Sequence, residues 1–221
     1  MLTHSLIKNQ IMQLTSDLIS ISLSEDQNYP SEQEKSGNIV ELGVTNADNS
    51  IFLKRIPYSD MYNILIEKRS YNIKMIDGAL LTMLYRFKAG KIYAHRLSYF
   101  PAPDLAVFQN EPDLYLEDEI YLDVIDKRVV TVPLRFDYDS NPETFRKVSH
   151  PISHFTLGQY ENCRIPVSSA LTPYQFIEFI LMNFYNTAYH QYHDQLHQYK
   201  DKFDDCIFPE ERTLMHINTP L

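Results

Sequence analysis

The chain has 221 residues and a mass of 26.0 kDa, with 44% hydrophobic and 22% charged residues, enough for one substantial core and too apolar for wholesale disorder. Twenty Lys+Arg against 29 Asp+Glu give a net charge of −9, which disfavours general polyanion binding. The five glycines, Gly37, Gly43, Gly78, Gly90 and Gly158, stand apart and exclude Gly-rich phosphate loops, and no apolar run reaches the ~18 residues of a membrane helix.

From the N-terminus, Leu6, Ile7, Ile11, Leu14, Leu18 and Ile21 recur three and four apart, predicting an amphipathic helix over residues 2–23. The polar stretch 24–37, which contains Pro30, reads as a loop. A short strand is expected over Asn38–Val44. A helix is expected over Ser59–Ser70 with Ser59 as its N-cap. The period then changes from helical to alternating. Ala79–Phe87 and Ile92–Phe100, joined at Lys88-Ala89-Gly90-Lys91, predict a β-hairpin.

The segment Glu111–Asp126 is acidic without one Lys or Arg, a solvated edge or a surface for a basic partner. Val129–Tyr138 is a third strand candidate, and Ser153–Gly158 returning as Cys163–Val167 a second hairpin. Short connections between neighbouring strands imply antiparallel pairing. Thr172 and Pro173 open a helix whose apolar stripe, Phe176, Phe179, Ile180 and Phe184, is expected to continue to about Phe203. Residues 204–221 read as a docked or flexible tail. The whole, 1–221, is expected to be a single α+β domain: an antiparallel sheet packed against an N-terminal helix and a long C-terminal helix.

Three groups of side chains carry potential chemistry. Alternation places Arg135, Asp137 and Asp139 on one strand face, opposite Phe136 and Tyr138. Such a face could hold phosphate or a metal, or simply form an ion pair. His150 and His154 share a face in an extended segment, near Arg164; a histidine pair and an arginine supply base, acid and cation for phosphodiester cleavage without a metal. The structural alternative is that each histidine is locally bonded or packed. His190, His193, Asp194 and His197 fall at helical spacings that could grip a divalent cation, but no H-E-x-x-H motif is present. Neither a cofactor nor a metal is expected. Cys163 and Cys206 form no C-x-x-C pair and fit a reducing, cytoplasmic setting with no membrane association.

The pattern HPISHFTLGQYENCRIPVSSALTPYQFIEFILMNFY, with DGALLTMLYRF, HRLSYFPAPDL and PLRFDYD before it, resembles an uncharacterised bacterial family, domain of unknown function 2290. The matching positions include Asp77, Arg96, Tyr99, Arg135, Asp137, His150, His154, Cys163, Arg164 and Tyr185. The resemblance implies a place among phage-defence or mobile-element genes and no particular activity. The leading expectation is therefore an accessory or interaction protein with a protein partner encoded nearby. The alternative is a metal-independent nuclease or RNase-like toxin using His150, His154, Arg164, Arg135 and Asp137, with nucleic acid as its ligand. These groups are expected to meet beneath the closing helix; whether they converge or scatter separates the two expectations.

Overall fold

The computed structural model describes residues 2–45, 56–103, 132–158, 160 and 162–220. The expected N-terminal helix is α1 (His4–Ser20), opened by Thr3, whose side chain accepts from the Leu6 amide. Its inner face is Ile7, Ile11, Leu14 and Leu18, all at most 1% exposed; Leu6 lies off the stripe and is exposed. Three short strands follow: β1 (Ser24–Gln27), β2 (Ser31–Lys35) and β3 (Ile39–Gly43). Two of them correct the expected loop at 24–37. Their side chains are polar and mostly half-exposed, so the alternation that marks a half-buried strand is missing from the sequence.

Helix α2 (Tyr58–Glu67) starts one residue earlier than expected, with Pro57 rather than Ser59 at the N-cap. Then come β4 (Ile73–Met75), the hairpin β5 (Leu80–Lys88) and β6 (Lys91–Phe100), β7 (Leu134–Asp139), β8 (Ser153–Leu157) and the two-residue β9 (Ile165–Pro166). The helix expected to reach Phe203 is instead α3 (Pro173–Phe184) and α4 (Asn186–Tyr192), followed by a 3-10 turn at His193–Gln195. The break falls at Tyr185 (φ −135°, ψ 48°), a fully buried residue whose hydroxyl donates to both carboxylate oxygens of Asp77 at 2.8 and 2.9 Å. A short helix, α5 (Pro209–Arg212), lies in the C-terminal segment.

Among the described residues all strand pairs are antiparallel, in a nine-stranded sheet ordered β1-β4-β5-β6-β7-β8-β9, with β3 also on β5 and β2 on β3. Helices α1 and α3 cover one face. There Phe136 meets Phe176 and Phe179 at ring-centre distances of 6.4 and 5.2 Å, and Phe155 meets Phe179 at 6.1 Å. Each of the buried rings, Phe136, Phe155 and Phe176, contributes roughly 1.5–3 kcal/mol. On the other face α2 covers only one end, where Met61, Tyr62 and Leu65 bury Leu80 and Phe100. Among the described residues, the result is a single α+β domain whose sheet carries α1 and α3 on one face and α2 at one end of the other. Among the described residues, no helix is long and apolar enough to cross a membrane.

Candidate functional site

The strand register decides which polar side chains meet. Arg96 on β6 stands opposite Asp137 on β7, and Asp137 opposite His154 on β8. Three residues far apart in sequence therefore form one straight row across the sheet, on the face that α1 and α3 leave uncovered. Each strand feeds that row by alternation: Leu134 and Phe136 turn into the core, so Arg135, Asp137 and Asp139 turn away from it.

Asp137 is the hub of the row. Its Oδ1 accepts from Arg96 Nε at 2.8 Å, and its Oδ2 is ion-paired with Arg135 Nε. Burial pushes the carboxyl pKa up, but the two guanidiniums outweigh it and hold Asp137 below the ordinary 3.8.

His154 lies 3.0 Å from the Pro151 carbonyl through Nδ1. A carbonyl can only accept, so Nδ1 carries the hydrogen of the neutral ring and Nε2 keeps the lone pair. Nε2 in turn is 3.8 Å from Asp137 Oδ2, close enough for the carboxylate to stabilise a proton arriving there. Burial lowers the His154 pKa to about 4, with Asp137 opposing the shift, so the ring is neutral at pH 7. The His150 ring sits 5.0 Å away, nearly perpendicular at 76°. Burial first, and then Arg164, lower its pKa as well.

Arg96, Arg135, Asp137, His150, His154 and Arg164 line a single cleft of about 330 Å³, with Asp139 and Thr144 at its margin. All five residues singled out for catalysis in the sequence thus face the same cavity. The expected position beneath the closing helix is corrected: the cleft opens on the sheet face opposite α3. Arg164 is half-buried and takes part in no hydrogen bond or ion pair among the described residues, which leaves its guanidinium available to an incoming anion.

Arg96 belongs to the site, although the sequence placed it only among family-motif positions. The signal was present. On its face of β6, with Ile92, Ala94, Ser98 and Phe100, Arg96 is the only charged side chain, and an interior charge needs a partner across the strand.

The histidines of the C-terminal third do not gather. His193 pairs with Asp194 at 3.0 Å, whereas His197 leaves the helix and bonds Asp17 of α1 through Nδ1 at 2.9 Å. Among the described residues, no three His, Cys, Asp or Glu side chains are grouped to hold a metal. The acidic run at 111–126 lies outside the described residues.

The family model described as "Uncharacterized conserved protein (DUF2290)" matches residues 23–219. No curated protein and no solved structure matches the chain. The matched span covers nearly the entire sequence and every residue of the cleft: the chain belongs to the DUF2290 family.

Proposed function

We propose that this DUF2290 protein cleaves single-stranded RNA in the cleft between β6, β7 and β8, by acid–base catalysis on the histidine pair. The observation that carries the reading is convergence. His150, His154, Arg164 and the Arg96–Asp137–Arg135 cluster come from separate strands and loops, yet face one cavity. An accessory protein that only docked a partner has no need to bring a neutral buried imidazole, a carboxylate behind it and a guanidinium with no partner among the described residues together.

The roles follow from the geometry. Arg164 holds the phosphate. His154 Nε2 takes the proton of the 2′-hydroxyl as that oxygen bonds to phosphorus, and Asp137 stabilises the imidazolium formed. His150 in its protonated form donates to the departing 5′-oxygen as the P–O5′ bond breaks. The products are a 2′,3′-cyclic phosphate and a 5′-hydroxyl, and the proton balance between the two rings is restored through solvent. The nucleophile is part of the substrate, so the scheme needs no activated water.

The test is cleavage of a fluorogenic single-stranded RNA oligonucleotide, followed from pH 3 to 8. For wild type, kcat/KM should be bell-shaped, rising through about 4 as His154 loses its proton and falling below 6.5 as His150 loses its own. His154→Ala should lower kcat about a hundredfold or more at a temperature below the variant's own thermal midpoint. A variant as active as wild type, or equal cleavage of the 2′-deoxy oligonucleotide, would end the proposal.

A further inference from the structure

The chain reaches His150 through a tight and strained turn. Arg146 and His150 exchange backbone hydrogen bonds, at 2.9 Å from the Arg146 N–H and 2.7 Å from the His150 N–H. The residue at the centre of the turn they close, Val148, has φ +68°, in the left-handed region that a β-branched side chain disfavours. No glycine or asparagine stands between Arg146 and His150 to favour that conformation.

The Ser149 N–H donates to the Lys147 carbonyl at 2.8 Å across Val148, and a further hold on the turn comes from the other end of the chain. The Val148 N–H donates to Glu211 Oε1 at 3.1 Å, and Glu211 Oε2 accepts from the Phe208 N–H at 3.0 Å. Glu211 is 1% exposed. Around this contact, Phe145 stacks on Phe208 with ring centres 5.7 Å apart, while the Lys147 ammonium lies 4.9 Å above the Phe208 ring and 3.0 Å from Glu210. The C-terminal segment therefore grips the turn at Phe145, Lys147 and Val148.

We infer that Glu211 is a positioning residue for His150: by accepting the Val148 N–H it keeps the turn closed and His150 aimed into the cleft beside His154. The consequence for rate rests on the reading of the cleft as a ribonuclease site; the positional effect does not. It is therefore tested by nuclear magnetic resonance titration of the histidine rings in the full chain, with RNA cleavage measured separately. His150 is faced by Arg164, Asp137, Asp139, Arg146 and His154, so its midpoint reports its place among them.

In Glu211→Ala the His150 midpoint should move up toward 6.5 while His154 stays near 4. In Val148→Gly/Glu211→Ala it should return most of the way to wild type, because glycine adopts the left-handed conformation without help. An unmoved His150 in Glu211→Ala, equal movement of both histidines, or no rescue by glycine would overturn the inference. If Glu211→Ala does not fold, amide exchange in the unmodified protein decides: a Val148 N–H slowed about a hundredfold relative to a free loop supports the inference, and free exchange overturns it. A His150 shift without any RNA cleavage would remove the ribonuclease reading and leave the positioning role standing. Cleavage with an unmoved His150 would do the reverse.

Discussion

Two aspartates, one half-buried and one buried, show how the charge of a neighbour decides whether burial prevails. Asp77 is half-buried, bonded by the Tyr185 hydroxyl and the Ala79 amide, and its pKa is raised because desolvation outweighs these neutral donors. At Asp137 burial acts in the same direction, but Arg96 and Arg135 reverse the outcome. The folded pKa of Asp137 lies below the unfolded 3.8, so its ion pairs contribute stability fully above 3.8 and lose it as pH falls through the folded value. Removing the carboxylate would leave two guanidiniums facing each other on a partly buried surface. Both retain some contact with water, at 26% and 29% side-chain exposure, so the cost falls at or below the low end for a broken buried pair. Asp137→Ala should lower the urea unfolding free energy by about 2–3 kcal/mol at pH 7, with the gap to wild type narrowing as pH falls from 4 toward 2. Coincident urea midpoints at pH 7 would show that the arginines do not depend on Asp137.

At the level of elements, the hairpin β5–β6 was legible because its strands alternate and its turn is short. The two central turn residues, Ala89 and Gly90, have φ +50° and +78°, the left-handed pair that matches the twist of a two-residue hairpin. Glycine is at ease there and alanine is not. Ala89 is exposed, so Ala89→Asn should raise stability by about 0.5–1 kcal/mol, read as a higher urea midpoint at unchanged m-value; an unchanged or lower midpoint would mean that this turn carries no strain. The start of α3 was equally legible, since Thr172 and Gln175 form a reciprocal cap with Pro173 in the first turn. What the sequence did not disclose has common physical causes. The strands at 24–35 are polar on both faces, and their pairing is fixed by the partners β4 and β3. The end of α3 is fixed by a tertiary bond from Tyr185 to Asp77, which no local pattern encodes. In the site, alternation correctly put Arg135, Asp137 and Asp139 together, but the row Arg96–Asp137–His154 needed the order of the strands. The grip of Glu211 on Val148 needed the path of the C-terminus.

For the molecule as a whole, a net charge of −9 repels RNA, whereas the cleft is locally basic: Arg86, Arg96, Arg135 and Arg164 line it against Asp137 and Asp139. Much of that positive charge is already committed, Arg86 to Glu41 at 2.7 Å and Arg96 and Arg135 to Asp137. Arg164, with at most one of the others, is therefore what a phosphate would meet. Binding that rests on so few contacts should depend only weakly on salt. Each phosphate neutralised on a single strand contributes a slope of about −0.7 in log K against log salt, so two contacts give about −1.4 and roughly a sevenfold loss of kcat/KM between 50 and 200 mM. Arg164→Gln should flatten that slope by about 0.7, a change that a merely structural arginine would not produce. A wild-type slope steeper than about −3 would place the main RNA contacts on a basic surface elsewhere in the chain, and an Arg164→Gln slope equal to wild type would remove this arginine from the phosphate site.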